Sequence, residues 1–430
     1  MTDPTEMFAA YCWRWQRWNG PLHTLDGQPL VVFSPGVPNP DEGPDFLDAD
    51  LQIGAVRWHG HIEIDLKEHF WQQHKHHENP HYRSVVLHAV WTPDGRGGHR
   101  LPIFDISAHV DRRVATRWQH LQKTPQVPAC AELIGAAHRP VTASLVEEAG
   151  MQRMQEKAEA ILREAQAVQH DWETIAYILF IRYAGSGPNI DAFEATARRL
   201  PLSILLKHRQ SLIQLEALLM GVAGLLTGAP ADDEYGGRLQ QEWRFLQHKY
   251  GLESGAAAAW KMARLRPANF PLVRMAQLAA HLHRHGGFLR PLLAVRRPAD
   301  VTALTDWDVS PYWQAHYHWG RRRKGRPPRL GRQWQHNLLI NVIAPLQYAY
   351  GIHQQQAGMQ QQALSLWDAL PAEDHRTTRP YRSAGFPLRT ALHSQGAIHL
   401  YRHACRPRRC LTCPLGQAVL GFKGRTDTEA

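Results

Sequence analysis

Two periodicities divide the chain. From Pro29 to about Ser107, apolar residues come in short runs that alternate with polar ones and close on glycine or proline turns. "PLVVFSPG", "DADLQIG", "VRWHGHIEIDL", "RSVVLHAVW" and "LPIFDIS" therefore predict strands, because side chains two apart share one face of a strand. Gly54 stands between the second and third runs and predicts a tight hairpin there. Ahead of them, Met7, Ala10, Tyr11 and Trp15 share one side of a helix expected from about Pro4 to Arg17.

Beyond Pro125 and Pro128 the spacing becomes helical. Met151, Met154, Ala158, Ile161, Leu162 and Ala165 recur at helical intervals with charges between them, and "WETIAYILFIRYAG", "LQQEWRFLQHKYGL", "LVRMAQLAAHLHRHGG" and "LLINVIAPLQYAYGI" continue the pattern. Such stripes predict packed core. The run "ALLMGVAGLLTGA" is too short for a bilayer, and its Gly221 and Gly224 predict close helix packing. The expected class is α+β. A mixed β-sheet domain with flanking helices would span 1–125, a mostly α-helical domain 126–400, and a short cysteine-rich tail 401–430 that packs on the rest.

The third strand run changes the picture. Its odd positions are Arg57, His59, His61, Glu63, Asp65 and Lys67, and its even positions are Trp58, Gly60, Ile62, Ile64 and Leu66. One face is apolar and the other wholly ionisable. An amphipathic strand at a sheet surface would explain this, with the charges in water. Asp45, in the turn "EGPDF", argues for a site instead, because the hairpin can bring it beside Glu63. Carboxylates forced together repel, and a hard cation relieves the repulsion. The segment "HFWQQHKHHENPHY" follows at once, and His74 and His76 are candidate ligands there, ranked below the acids.

Composition narrows the setting. The 430 residues are 43% hydrophobic and 20% charged, as in a folded globular protein. Lys+Arg 49 against Asp+Glu 39 gives a net charge of +10, which suits an anionic partner: nucleic acid, DNA ahead of RNA, rather than a membrane. Five cysteines, an odd number, argue against a disulfide framework and for a cytoplasmic protein with thiolate-bound metal. No secretory signal is legible at the first residues. The irregular basic stretch with Arg321, Arg322, Arg323, Lys324, Arg326, Arg329 and Arg332 could hold phosphates, with Trp319 and Trp334 placed to stack on bases.

Cys405, Cys410 and Cys413 are spaced C-x4-C-x2-C, and the last pair can grip one metal because the intervening turn aims both thiolates the same way. A closed Zn²⁺ site or a [4Fe–4S] cluster needs a fourth ligand, with Cys130 the first candidate, then His403, then Cys12.

The order helix, turn with Asp, hairpin and strand with Glu resembles the PD-(D/E)xK nuclease core, which implies a restriction-endonuclease-like sheet. The resemblance implies Asp45 and Glu63 as ligands of Mg²⁺ or Mn²⁺, with Glu6 on the first helix in the upstream acidic role. It departs at position 65, where Asp65 stands in place of a lysine; the nearest lysine on that face is Lys67. His61 or Lys67 would then serve as base or phosphate contact. The tail resembles the cluster-binding segment of endonuclease III and MutY-type glycosylases but lacks their last cysteine. Paired with Cys130, it is similar to the iron–sulfur staple of AddB-type nucleases. Over almost its full length the chain resembles domain-of-unknown-function family 2851, through "GPDFLDADLQI", "GHIEI", "EALLMGVAGLL", "RLRPANFPLVRMAQLA" and "CLTCPLG".

The leading expectation is a metal-dependent nuclease or nucleic-acid-processing enzyme that hydrolyses phosphodiester bonds. The alternatives are a non-catalytic nucleic-acid-binding or scaffold protein on a degenerate nuclease fold, and a small-substrate metal hydrolase that uses the histidines.

Overall fold

Gly54, with φ 59, adopts the left-handed backbone that a two-residue return needs, so β4 (Phe46–Ile53) turns directly into β5 (Val56–Lys67) with Ile53 opposite Val56. The computed structural model describes residues 5–185, 187–256, 260–263, 265–266, 269–324 and 331–421. Around the hairpin lie α1 (Glu6–Arg14), β1 (Leu22–His23), β2 (Pro29–Ser34), β3 (Val37–Pro38), β6 (Val85–Thr92) and β7 (Ile103–Asp105). The sheet order is β1-β2-β4-β5-β6-β7, with β3 paired to β4. From β1 to β5 neighbours run antiparallel, whereas β5, β6 and β7 are parallel.

A parallel pair cannot be joined by a tight turn, so the chain leaves β5 and returns through a crossover. That crossover holds α2 (Phe70–Gln73) and two short 3₁₀ turns, His76–Glu78 and Pro80–Tyr82. The sheet is thus mixed, as expected of the first domain.

Helix α1 starts where the Thr5 side chain accepts the Phe8 N–H at 3.2 Å, and it buries Phe8, Ala9, Tyr11, Cys12 and Trp13. After α3 (Ile106–His109) comes α4 (Arg112–Lys123), whose Trp118 ring stacks on Phe8 at 4.9 Å. Trp13 meets Phe104 of β7 edge-on at 5.9 Å, and its Nε1 donates to the Pro35 carbonyl at 2.9 Å. The core of this part therefore lies between α1, α4 and the sheet.

The chain divides into two units: Met1–Leu145 with Arg376–Pro387 and Ile398–Ala430, and Val146–His375 with Leu388–Ala397. The division falls at Leu145, inside α5 (Arg139–Ala167), against the 125 expected, and the tail, expected to pack on the rest, groups with the first unit. Change of texture marks where helices begin; it does not mark which side of the boundary they pack on.

The second unit is built from the long apolar helices. They include α6 (Trp172–Ala184), α7 (Ile190–Arg199), α8 (Leu202–Lys207), α9 (Leu212–Val222), α10 (Glu234–Tyr250) and α11 (Pro271–His285). Gly221 does permit close packing, since a Cβ there would sit 2.2 Å from the Trp243 ring of α10. Gly224 has a different reason. Its φ of 72 ends α9 in the left-handed region.

Part of the basic stretch forms a small hairpin, β8 (His316–His318) with β9 (Arg321–Arg322). Arg321, Arg322, Lys324 and Arg332 are exposed, and Arg323 is half-buried with a 2.7 Å bond to the His316 carbonyl. Arg326 and Arg329 lie outside the described residues. The stacking expected of Trp319 and Trp334 is corrected: both are buried, and Trp319 Nε1 donates to the Leu225 carbonyl at 3.0 Å.

Candidate metal centre

The ionisable face of β5 splits in two. At the hairpin end Arg57 and His59 are exposed, and Arg57 pairs with Asp50 at 2.6 Å in solvent. At the other end Glu63 and Asp65 are buried, only 6% and 1% exposed. The solvated-face expectation holds for the first half of the strand alone.

Asp45 enters from the turn before β4. Its N–H donates to Glu63 Oε2 at 3.3 Å, and its own Oδ2 accepts the Ile64 N–H at 2.8 Å. These two bonds fix the carboxylates side by side. Burial, then the Glu63 charge, pushes the Asp45 carboxyl well above the usual range. Burial, then the Asp65 charge, does the same to Glu63. Glu6, in the first turn of α1, is raised by burial and then by Asp65, so its carboxyl belongs to the same acidic group.

The crossover supplies the nitrogen donors. His74 Nδ1 lies 3.5 Å from Asp65 Oδ1. His76 is buried and stacked on Tyr82 at 4.1 Å, with Nε2 3.1 Å from Glu63 Oε1 and 4.0 Å from Asp65 Oδ2. Neither contact is an aligned hydrogen bond, so Nε2 is a buried lone pair or donor left unsatisfied. Burial outweighs the surrounding acids and lowers the His76 pKa, which favours the neutral, ligand-competent ring. Asp65, His74 and His76 each offer one ligand atom within 4.8 Å of the other two.

Asp65 is held from behind. The Leu101 N–H donates to His99 Nδ1 at 3.3 Å, which leaves the His99 proton on Nε2. That nitrogen lies 2.9 Å from His88 Nδ1, and His88 Nε2 lies 3.0 Å from Asp65 Oδ2. A single direction of donation satisfies all three bonds: Leu101 to His99, His99 to His88, His88 to Asp65. The His99 ring is neutral in this arrangement, in keeping with its pKa, which burial and then His88 lower to about 4. Such outer contacts orient a ligating carboxylate. Glu68, also buried, accepts the N–H groups of Gly95 and Gly97 at 2.9 and 3.0 Å and pins the loop before β7.

Of the sequence-predicted residues, Asp45, Glu63, Asp65, Glu6, His74 and His76 come together. His61 sits in mid-strand, where its Nδ1 accepts the Asp48 N–H at 3.2 Å beside a bulge in β4. Lys67 is exposed at the end of β5, opposite Thr92. Neither is among the charges that act on Asp45, Glu63 or Glu6. Sequence reasoning missed His88, His99 and Tyr82. His88 carried a signal, since it is the one ionisable residue in the otherwise apolar strand run "VVLHAVW".

Cys130 lies close enough to Cys405, Cys410 and Cys413 for each to influence its thiol. Cys12 is buried in α1, and His403 is exposed against His399 at 4.5 Å.

The helical unit has a polar cleft of about 560 Å³, lined among others by Arg266, Asn269, Arg274, Trp334 and His336. Arg274 is buried there, bonded to Gln277 and Asn269 at 2.9 and 2.7 Å and lying 5.3 Å from the Trp334 ring.

The first unit is a mixed sheet with a buried carboxylate–imidazole centre at one end of its central hairpin. The chain belongs to the family described as "Protein of unknown function (DUF2851)", whose model matches residues 6–376. No curated protein and no solved structure matches it. Among the described residues, no helix is long and apolar enough to cross a membrane.

Proposed function

We propose that this protein is a divalent-cation-dependent phosphodiester hydrolase acting on nucleic acid. The observation that carries the reading is the convergence of Glu6, Asp45, Glu63 and Asp65 with His76, whose Nε2 is buried without an aligned hydrogen bond. The donor set fits a cation and modifies which one. Mg²⁺ prefers oxygen and water, whereas Mn²⁺ also accepts imidazole, so His74 and His76 favour Mn²⁺.

Asp45, Glu63, Asp65, His74 and His76 would hold the metal. When bound, it lowers the pKa of a water and neutralises charge on the phosphate. The protein's own part is positioning. The backbone bonds of Asp45 fix two carboxylates, the His99–His88 pair fixes a third, and Tyr82 braces His76. The order of α1, three antiparallel strands, crossover and parallel strand supports the PD-(D/E)xK-like reading. The net charge of +10 and the exposed Arg321, Arg322, Lys324 and Arg332 support an anionic polymer as substrate.

Asp65 in the lysine position favours a second reading, a non-catalytic nucleic-acid-binding or scaffold protein. A Mn²⁺-supplemented assay on single- and double-stranded DNA and on RNA separates the two. Hydrolysis by the native chain that is abolished in Glu63→Gln supports the enzyme. Salt-sensitive binding with no hydrolysis supports the scaffold, and equal hydrolysis in Glu63→Gln sinks the assigned site.

A further inference from the structure

Four thiols from distant parts of the chain share one region of the first unit. Cys130 follows α4; Cys405, Cys410 and Cys413 lie in the tail. Burial, then Cys405, Cys413 and Cys410, raises the Cys130 thiol, while Cys405 is pushed up to about 12 and Cys410 to about 11, each chiefly by burial. None of the four is in a disulfide.

The tail is seated for this meeting. Arg408, in the left-handed region at φ 58, donates to the Leu121 carbonyl at 2.7 Å and to the Thr124 carbonyl, just upstream of Cys130. Arg117 reaches the Val419 carbonyl at 3.1 Å and Arg17 the Gly421 carbonyl at 2.5 Å. Gly416 lies so near Cys410 that a Cβ would fall 2.0 Å from its carbonyl oxygen. Leu411, Leu415, Val419 and Leu420 are buried beneath.

Two further observations point to what the thiols surround. Tyr381 is fully buried, and its phenol lies against Cys405, with Cys130 and Cys413 also acting on it. A buried hydroxyl in that position can donate to a metal-bound Cys405 thiolate. The spacing favours a cluster over zinc. Tetrahedral zinc, with Zn–S near 2.3 Å, draws its sulfurs to about 3.8 Å from one another. Among the described residues, no three of these thiols lie within 4.8 Å of one another. A cubane takes one thiolate at each of four separate irons and so holds its ligands farther apart.

We propose that Cys130, Cys405, Cys410 and Cys413 bind a [4Fe–4S] cluster that clasps the tail to the first unit. Binding converts four thiols to thiolates and releases four protons to solvent. The [4Fe–4S]²⁺ core with four thiolates carries a charge of −2, and Arg408, whose charge reaches Cys405 and Cys410, offsets part of it. This site stands apart from the acidic centre and does not depend on its chemistry.

The test is anaerobic purification of the full chain with iron, sulfide and zinc analysis and a visible spectrum. The expected result is about four irons and four labile sulfides per chain, with broad absorbance near ~400 nm that bleaches on reduction. Cys130→Ser should lose the colour, and Cys12→Ser should keep it. Stoichiometric zinc, a colourless metal-free chain, or full cluster content in Cys130→Ser would overturn the proposal. The unmodified chain's metal content decides the matter even if Cys130→Ser fails to fold.

Discussion

Asp45 and Glu63 are tied together by two backbone amides, those of Asp45 and Ile64. The Asp45 N–H reaches Glu63 Oε2 at 3.3 Å, while the Asp45 carboxylate takes the N–H of Ile64, the residue after Glu63. Neither carboxylate can swing away without leaving an amide unpaired. The pair is therefore held at close quarters in the absence of a cation, at the cost of keeping protons that the ordinary carboxyl would have lost.

Cation binding should displace those protons. We expect Mn²⁺ to bind with net proton release near neutral pH, and its affinity to rise with pH as the competing protons leave. Calorimetry in two buffers of different ionisation enthalpy measures the release directly. No buffer dependence would mean that Asp45 and Glu63 are already ionised.

His88 acts through Asp65 and is a positioning residue. His88→Ala should weaken Mn²⁺ binding by about 10–100-fold, the usual effect of losing an outer contact. His88→Gln, whose amide can still donate to Asp65 Oδ2, should recover part of the loss. Titration followed by electron paramagnetic resonance checks both. Equal affinity in wild type and His88→Ala would remove the relay from the account.

Glu216 of α9 is fully buried, bonded to Tyr235 and Trp313 at 2.8 and 3.0 Å, and burial raises its pKa from 4.5 to about 7. The folded state holds this proton more tightly than the unfolded one. Its contribution to stability is thus complete below pH 4.5, falls as pH rises, and is lost above about 7. The loss amounts to about 3 kcal/mol. Glu216→Gln keeps an acceptor for both partners and removes the titration. Relative to wild type, its melting temperature should rise between pH 5 and pH 8; a constant difference would refute the linkage.

Two glycines on neighbouring helices should respond oppositely to alanine. Gly221→Ala drives a methyl into the Trp243 ring and should destabilise by about 1–3 kcal/mol. Gly237, inside α10 with open space around its Cβ position, should gain up to about 1 kcal/mol from the higher helix propensity of alanine. Denaturant melts of the two variants give the comparison.

Much of the first unit was legible because alternation and a turn glycine are local signals: the β4–β5 hairpin follows from Gly54 and the runs beside it. Asp45 and Glu63 were legible for the same reason, since a hairpin fixes which residues meet. Asp65 was read as a departure from a motif. Its role as a partner of His74, His76 and His88 depends on a parallel crossover, whose return position no local pattern encodes. Glu216 was hidden in an apolar stripe, "LEALLM", where only packing shows that its carboxyl is enclosed. Trp319 and Trp334 misled because basic neighbours suggest exposure, whereas large aromatic rings gain more from burial.

The first unit includes Arg376–Pro387 and Ile398–Ala430, so the helical unit interrupts it twice along the chain. During synthesis the sheet, with its acidic end, emerges before the helical unit, and Ile398–Ala430, which completes the sheet's unit, emerges after it. The helical unit can finish folding while its predecessor still waits for Arg408 to reach Leu121 and Thr124. Premature termination just after residue 397 would thus leave the sheet unit incomplete and the helical unit whole.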